Sequence, residues 1–331
     1  MSPRRTRSRG AALLAAMLTV TLVATFAAAA MWQQWRSVEV EIAERSRVQS
    51  SWVLTGALDW ARLILREDAR SGGADHLAEP WAVPLQEARL STFLAANEGV
   101  ATVETAGNDT QDAFLSGQII DLQSQLNVMN LVEAGKVSEP ALRAFSKLFE
   151  LLGLPTPELN RLVENLRFAG DTSADNRSGP MAPLLPQRVE QLTWLGLSPY
   201  TVSVLRPYVT LLPATTPVNL NTASPEVIAA SVPGLGLADA QRLVAERDIN
   251  HFRSTADAGR LLGAESPFNE GRHSVASRFF EVRGRLRLDQ MVLEERSVLQ
   301  RDGLDVKVLW RERGVVDPAA LAAAAAAPPQ R

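Results

Sequence analysis

Residues that could perform chemistry are few and scattered. The three histidines, His76, His251 and His273, lie far apart in sequence. No HExxH, GxSxG, P-loop or GxGxxG run is present, so the spacings that hold zinc, raise a nucleophilic serine or cradle a phosphate are missing. Cysteine is absent, which removes disulfides, thiol nucleophiles and thiolate metal sites together. It leaves the redox compartment open, because an oxidising location permits disulfides without requiring them. Carboxylates are dispersed, and no pair stands out for acid–base work. Asp171, Asp175 and Asn176 could supply some of the oxygen ligands that calcium takes, but a solvated loop explains them more simply. The sequence thus assigns no catalytic residue, no cofactor and no metal ligand, and reads as a protein that is not an enzyme. One segment reads instead as something to be acted upon. In Arg9-Gly10-Ala11-Ala12-Leu13-Leu14, glycine would present an extended, side-chain-free residue to a protease at a membrane surface.

The chain has 331 residues, 46% apolar and 21% charged, with a net charge of -3. That is enough for two or three small domains and a sizeable core. The first ten residues carry Arg4, Arg5, Arg7 and Arg9 and no acid. Without them, 30 basic residues face 37 acidic ones, giving -7. A mildly acidic body argues against nucleic acid as its main partner.

From Ala11 to Trp35 no residue is charged, and Arg36 is the first charge after Arg9. About 20 apolar residues in a helix cross a bilayer. Arginines before the span put the N-terminus in the cytoplasm by the positive-inside rule. Three readings of this segment stand side by side. It could be a secretory signal, with the alanines at 27–30 as a cleavage site, or a plain single-pass anchor. It also resembles a type IV pilin-like leader, in which a peptidase cuts after a glycine on the cytoplasmic side and leaves the apolar helix on the mature protein. Val38, Ile42, Val48, Trp52, Leu58 and Leu63 alternate with charged residues, so the helix is expected to continue to about residue 70. At about 1.5 Å per residue it would be roughly 90 Å long.

Residues 72–112 are spotted with Gly, Pro and Asp, with a short helix expected over 85–96. Ala113–Leu122 reads as strand, turn and strand, with Ser116-Gly117 at the turn. Asp121 opens the run DLQSQLNVMNL, where Asn127 and Asn130 suit a turn. Helices are expected at 141–152, 157–168, 188–195, 200–209, 225–232, 238–247 and 255–262, from apolar steps of three and four. Thr156-Pro157 and Ser224-Pro225 place a capping residue before proline. Residues 278–288, 291–300 and 305–311 alternate as strands do. The tail, 316–331, is Ala- and Pro-rich low complexity and is expected to be disordered.

The run VNLNTASPEVIAASVPGLGLADAQRLVAERDINHFR, residues 218–253, resembles a helix-hairpin-helix, or SAM-like, module, with Gly234-Leu235-Gly236 at the hairpin. Residues 189–197 echo 257–263, suggesting two related modules. Such modules often bind DNA backbones, which makes a membrane-anchored DNA-binding protein of the DNA-uptake type the main alternative. Affinity there would come from cations near the hairpin, here Arg242, Arg247 and Arg253. The strands that follow the helical block favour the other reading.

Taken in order, these features resemble the minor pseudopilin K family of type II secretion, across nearly the whole chain. The fold this implies is α+β: a long N-terminal transmembrane helix, then a pilin-like antiparallel sheet interrupted by a large helical insertion of SAM-like modules. The expected boundaries are a leader at 1–10, transmembrane and stalk helix at 11–70, the first part of the pilin-like domain at 71–126, the insertion at 127–272 and the last strands at 273–315. The family resemblance implies processing residues Gly10 and Ala11, with cleavage by prepilin peptidase after Gly10 and methylation of Ala11. It implies a single-pass inner-membrane protein with its bulk in the periplasm. Its partners would be the I- and J-type minor pseudopilins and the assembly platform, at the tip of a pseudopilus needed for protein export. Most pilin-like proteins carry Glu at the fifth residue after the cut, where this chain has Ala15; the K type is the member that typically lacks it. The family often binds calcium through acidic loops, but the run around Asp171 matches that motif poorly.

Overall fold

The computed structural model describes residues 9–92, 113–171, 182–263, 268–288 and 291–316. They fall into two compact units, one ending at Thr55 and one starting at Gly56. Helix α1, Arg9–Ser71, belongs to both. It holds no proline, and its span is long and apolar enough to cross a membrane once. Within that span Thr19, Thr21 and Thr25 donate their hydroxyls to carbonyls three or four residues back, so each polar side chain finds an acceptor without water.

The expected apolar face of the stalk is corrected. Val38, Ile42, Val48, Trp52 and Leu63 are all exposed, and of that set Leu58 alone is buried. Their steps of four, six and five residues drift around a helix of 3.6 residues per turn. In the second unit the buried line is Leu58, Ala61 and Leu65, at steps of three and four that keep to one side.

After α1, Trp81 sits buried on a short 3-10 helix, Pro80–Ala82. Strands β1, Leu85–Arg89, and β2, Ala113–Asp121, then pair antiparallel. Two expectations fail here. Residues 85–89 are strand rather than helix, 90–92 are helical as expected, and 93–96 lie outside the described residues. Ser116-Gly117 is no turn, because β2 is one continuous strand. Gly117 faces Gly284, and a Cβ on it would lie 3.0 Å from the Arg283 carbonyl oxygen. The glycine is there for close approach between strands.

The chain then leaves the sheet. Two-residue ladders β3 (Leu126–Asn127), β4 (Val132–Glu133) and β5 (Lys136–Val137) precede α2, Glu139–Leu151, and α3, Thr156–Ala169. A 3-10 helix, Val189–Leu195, stands where an α-helix was expected, and α4 is Pro199–Leu205. Val209, expected in that helix, lies in β6, Val209–Thr210. Next come β7 (Val218–Asn219), α5 (Pro225–Ser231), α6 (Leu237–Ile249), α7 (Thr255–Leu261) and β8 (His273–Ser274). Ser224 caps α5 by accepting from Val227 N. Thr156 does not cap α3: it is the first helical residue, and Pro155 holds the cap position. Each of the echoing runs carries a glycine with positive φ near its end, Gly196 at 96° and Gly263 at 64°. These helices share one core, including Phe145, Phe149, Leu162, Leu192 and Ile228.

The chain returns as β9, Phe279–Leu288, β10, Met291–Asp302, and β11, Asp305–Val316. The order of the five-stranded sheet is β1-β2-β9-β10-β11, and every neighbouring pair is antiparallel. Strands β2 and β9 are thus neighbours with residues 122–278 between them. The insertion is somewhat wider than the 127–272 expected. Successive residues of β9 serve different cores, as the period of two requires. Phe280 joins Leu58, Ala61, Leu65 and Trp81 under α1, while Phe279 packs with Leu122 and Leu212 at the root of the insertion.

If Gly117 serves close approach, Gly117→Val should lower stability by about 1–3 kcal/mol through overpacking. Gly56→Ala in α1, where an added Cβ meets nothing within 4 Å, should raise it by about 0.5–1 kcal/mol. Thermal denaturation of the two variants checks both signs; a neutral Gly117→Val would sink the argument.

Candidate functional site

Helix α1 already includes Arg9, so the Gly10–Ala11 peptide bond lies in its first turn. That turn has no intrahelical acceptors for its amides to use and frays most readily. Glycine weakens helix there by about 1 kcal/mol relative to alanine. Local unwinding to an extended conformation is therefore cheap at this bond. No acidic residue stands in the first turn.

The histidines make no catalytic set among the described residues. His76 and His251, distant in sequence, stack with ring centroids 3.8 Å apart and 14° between planes. Burial lowers both pKa values, and the His76 ring further disfavours charge on His251. His76 Nδ1 accepts from Ala78 N. Parallel rings set their nitrogens side by side rather than converging on one ion. His273 is buried apart from them, against Phe268, and burial pushes it down to about 4. No local signal could have paired residues 76 and 251.

The two asparagine-rich runs act as locks. Asn127 accepts from Met129 N and Leu212 N and donates to Ala214 O. Asn130 exchanges two bonds with the Thr216 backbone. Asn221 likewise exchanges two bonds with the Phe252 backbone. The expected local turn role of Asn127 and Asn130 is thus only part of what they do; they also hold residues 212–216 in place.

A third lock sits where the chain leaves and re-enters the sheet. Asp121 accepts from Asn219, Thr222 and Ser277 side chains and from Gln123 N. Beside it Arg301 reaches Asp68 at 2.5 Å, Asp75 at 2.6 and 2.7 Å, and Ser277 O at 2.8 Å. Burial raises the pKa of Asp68 and Asp75, and the Arg301 guanidinium opposes that. Asp68, Asp75 and Glu79 converge, but Arg301 holds the first two. Glu79 accepts from Trp81 Nε1 and His76 N. The cluster is an ion-pair knot that ties α1 to β10. Of the oxygen-bearing residues considered for calcium, Asp171 is described, whereas Asp175 and Asn176 lie outside the described residues.

In the hairpin module Gly234, with φ 77°, makes the turn between α5 and α6. Two of its three cations have partners within the chain. Arg242 pairs with Asp239. Arg247 is buried and donates through Nη1 to the carbonyls of Leu220 and Ala223, at 2.6 Å each. Arg247→Ala should therefore cost about 3 kcal/mol, from two charge-assisted bonds, and Arg242→Ala less than about 0.5 kcal/mol. Denaturant titration of the full chain in detergent separates them, and equal losses would contradict the inward role of Arg247.

Comparison with known proteins bears on this geometry. Two family models match, both described as type II secretion system protein K, over residues 124–214 and 218–276. Type II secretion system protein K of Pseudomonas aeruginosa is 27% identical over 338 residues, covering 94% of each chain. That of Pectobacterium carotovorum is 26% identical over 341 residues, covering 94% of this chain and 98% of its own. Among solved structures, a chain from the GspK-GspI-GspJ complex of enterotoxigenic Escherichia coli shares the fold. It has a TM-score of 0.56 and 18% identity, and the match covers 82% of this chain and 98% of that one. The DNA-uptake alternative is not supported by these matches. With an apolar N-terminal helix and an antiparallel sheet opened by a helical insertion, the chain is similar along nearly its whole length to the type II secretion system K proteins.

Proposed function

We propose that this minor pseudopilin caps the tip of the periplasmic pseudopilus, where it supports pseudopilus initiation and protein export. The observation that carries this is the insertion itself. The described residues between 122 and 278 form a helical body between two adjacent strands of the sheet. A body of that size on one subunit would obstruct a further subunit stacking over it. Ala15 fits the same place. A carboxylate inside the bilayer is expensive and is useful where it neutralises a neighbour's amino terminus. A first subunit has no earlier neighbour to neutralise.

On this reading the chain is cut after Gly10 by prepilin peptidase and methylated at Ala11. It is anchored by the apolar part of α1, with the N-terminus in the cytoplasm and the second unit in the periplasm. The I- and J-type minor pseudopilins are its partners, supported by the name of the complex that shares its fold, together with the assembly platform. It performs no catalysis, and the reading assigns it no cofactor or metal.

Co-expression with the peptidase should shorten the wild-type chain by ten residues, the length up to Gly10, and leave Gly10→Val at full length, as read by intact mass. Wild type that stays full length would overturn the pilin-type leader. Co-purification with I- and J-type subunits tests the tip assignment separately, and failure to associate with either would count against it.

A further inference from the structure

Asp121 is the last residue of β2, and its side chain is 3% exposed. Its four donors come from three segments that meet at the root of the insertion. Gln123 N, at 2.7 Å, belongs to the departing chain. Asn219 Nδ2 at 3.0 Å and Thr222 Oγ1 at 2.6 Å come from the body of the insertion. Ser277 Oγ at 2.6 Å comes from the returning chain. None of these donors is charged. The nearby cation, Arg301, is engaged by Asp68 and Asp75. A buried carboxylate without a cation is disfavoured as an anion. Two of its partners are hydroxyls, which can rotate to accept a bond from a neutral carboxyl as readily as they donate to a charged one.

We propose that this cluster is a proton-operated clamp, in which uptake of one proton by Asp121 tightens the hold of the helical insertion on the sheet. The charged and titratable groups around it are few. Asp75 faces it from the loop after α1, Asp68 lies on α1, and Arg301 lies on β10. Arg278, on the returning chain, directs its guanidinium to Asp302. In direct contact with Asp121 the insertion contributes the neutral groups Asn219 and Thr222. It also contributes His251, which stacks on His76 beside the Asp75 loop. Burial disfavours charge on both rings, so their protonation opposes the clamp.

Burial first, with Asp75 adding to it, raises the Asp121 carboxyl from 3.8 to about 6 against the donors that lower it. A pKa raised on folding gives stability that is complete below the unfolded value and lost as pH rises through the folded one. The clamp therefore strengthens as pH falls through 6. His273 acts in the opposite sense. Held at about 4 against 6.5, it favours the folded chain above 6.5 and withdraws that support as pH falls. Its surroundings, Phe268, Asn269 and the β7 ladder, all belong to the insertion. A detachment of the insertion as a body would leave His273 buried and expose Asp121. The effect is thus local to the root, where the His76–His251 pair opposes it, and is masked in global stability.

Hydrogen exchange on the full chain in detergent, corrected for intrinsic rates, reads it directly. The amides of Gln123, Ser277 and Arg278 bond to side chains at the root. Between about pH 7.5 and about pH 5 the ratio of their protection in wild type to that in Asp121→Asn should rise about tenfold, and that ratio for Leu148 in α2 should not. The His76–His251 pair acts alike in both proteins and drops out of the ratio. A ratio that stays flat would overturn the clamp. Should that variant not fold, carbon-13 titration of the Asp121 carboxyl in wild type decides: a midpoint near 6 supports the proposal, and one below about 4.5 overturns it.

Discussion

The structure depends on closing one very long loop. Strands β2 and β9 pair along their whole length, from Ala113 with Leu288 to Asp121 with Phe280. Everything from Leu122 to Arg278 lies between them in sequence. The entropy of closing such a loop grows only logarithmically with its length, each doubling adding about 0.6 kcal/mol. What matters is that the insertion folds on its own core and presents two chain ends close together. Its core, built on Phe145, Phe149, Leu162, Leu192 and Ile228, is separate from the core beneath α1. The loop that the sheet must close is then short in effect, because a folded body has taken up the slack.

Polar side chains do the joining where the two cores stop. Among the described residues Leu122, Leu212 and Phe279, with Val298 packed on them, form a small apolar cluster at the root. Around them Asp121, Asn219, Thr222, Ser277, Asp75 and Arg301 bond to one another. Buried polar groups must be satisfied with definite geometry, so they select one arrangement where apolar contact would tolerate several. Arg301 shows this in its choice of partners: one guanidinium holds α1 through Asp68, the following loop through Asp75 and the returning chain through Ser277 O.

The order of elements was legible in the sequence because it rests on local periodicity. An apolar run, helical steps in 139–169 and 225–249, and alternation in 279–316 each announce themselves within a dozen residues. The terminal strands and most helices lie within a few residues of where periodicity put them. The misses are non-local. Leu85–Arg89 carries no alternation and becomes a strand because β2 lies beside it. Gly117 looks like a turn residue until Gly284 is known to sit opposite. The stalk's buried line could not be chosen from several apolar residues without knowing which side meets Phe280. At the candidate site, Gly10 and Ala11 stood out because the leader is a contiguous pattern. The clamp residues did not, since Asp121, Thr222 and Ser277 are each ordinary polar residues until the fold brings them together.

Phe279 and Phe280 carry one more consequence. They are neighbours in the chain, yet one packs at the root of the insertion and the other under α1. A slip of β9 by a single residue would turn each aromatic ring toward the wrong core. The pair therefore acts as a ratchet tooth for assembly. Strand alignment and seating of the helical body become one event, and a chain cannot complete the sheet with its insertion misplaced.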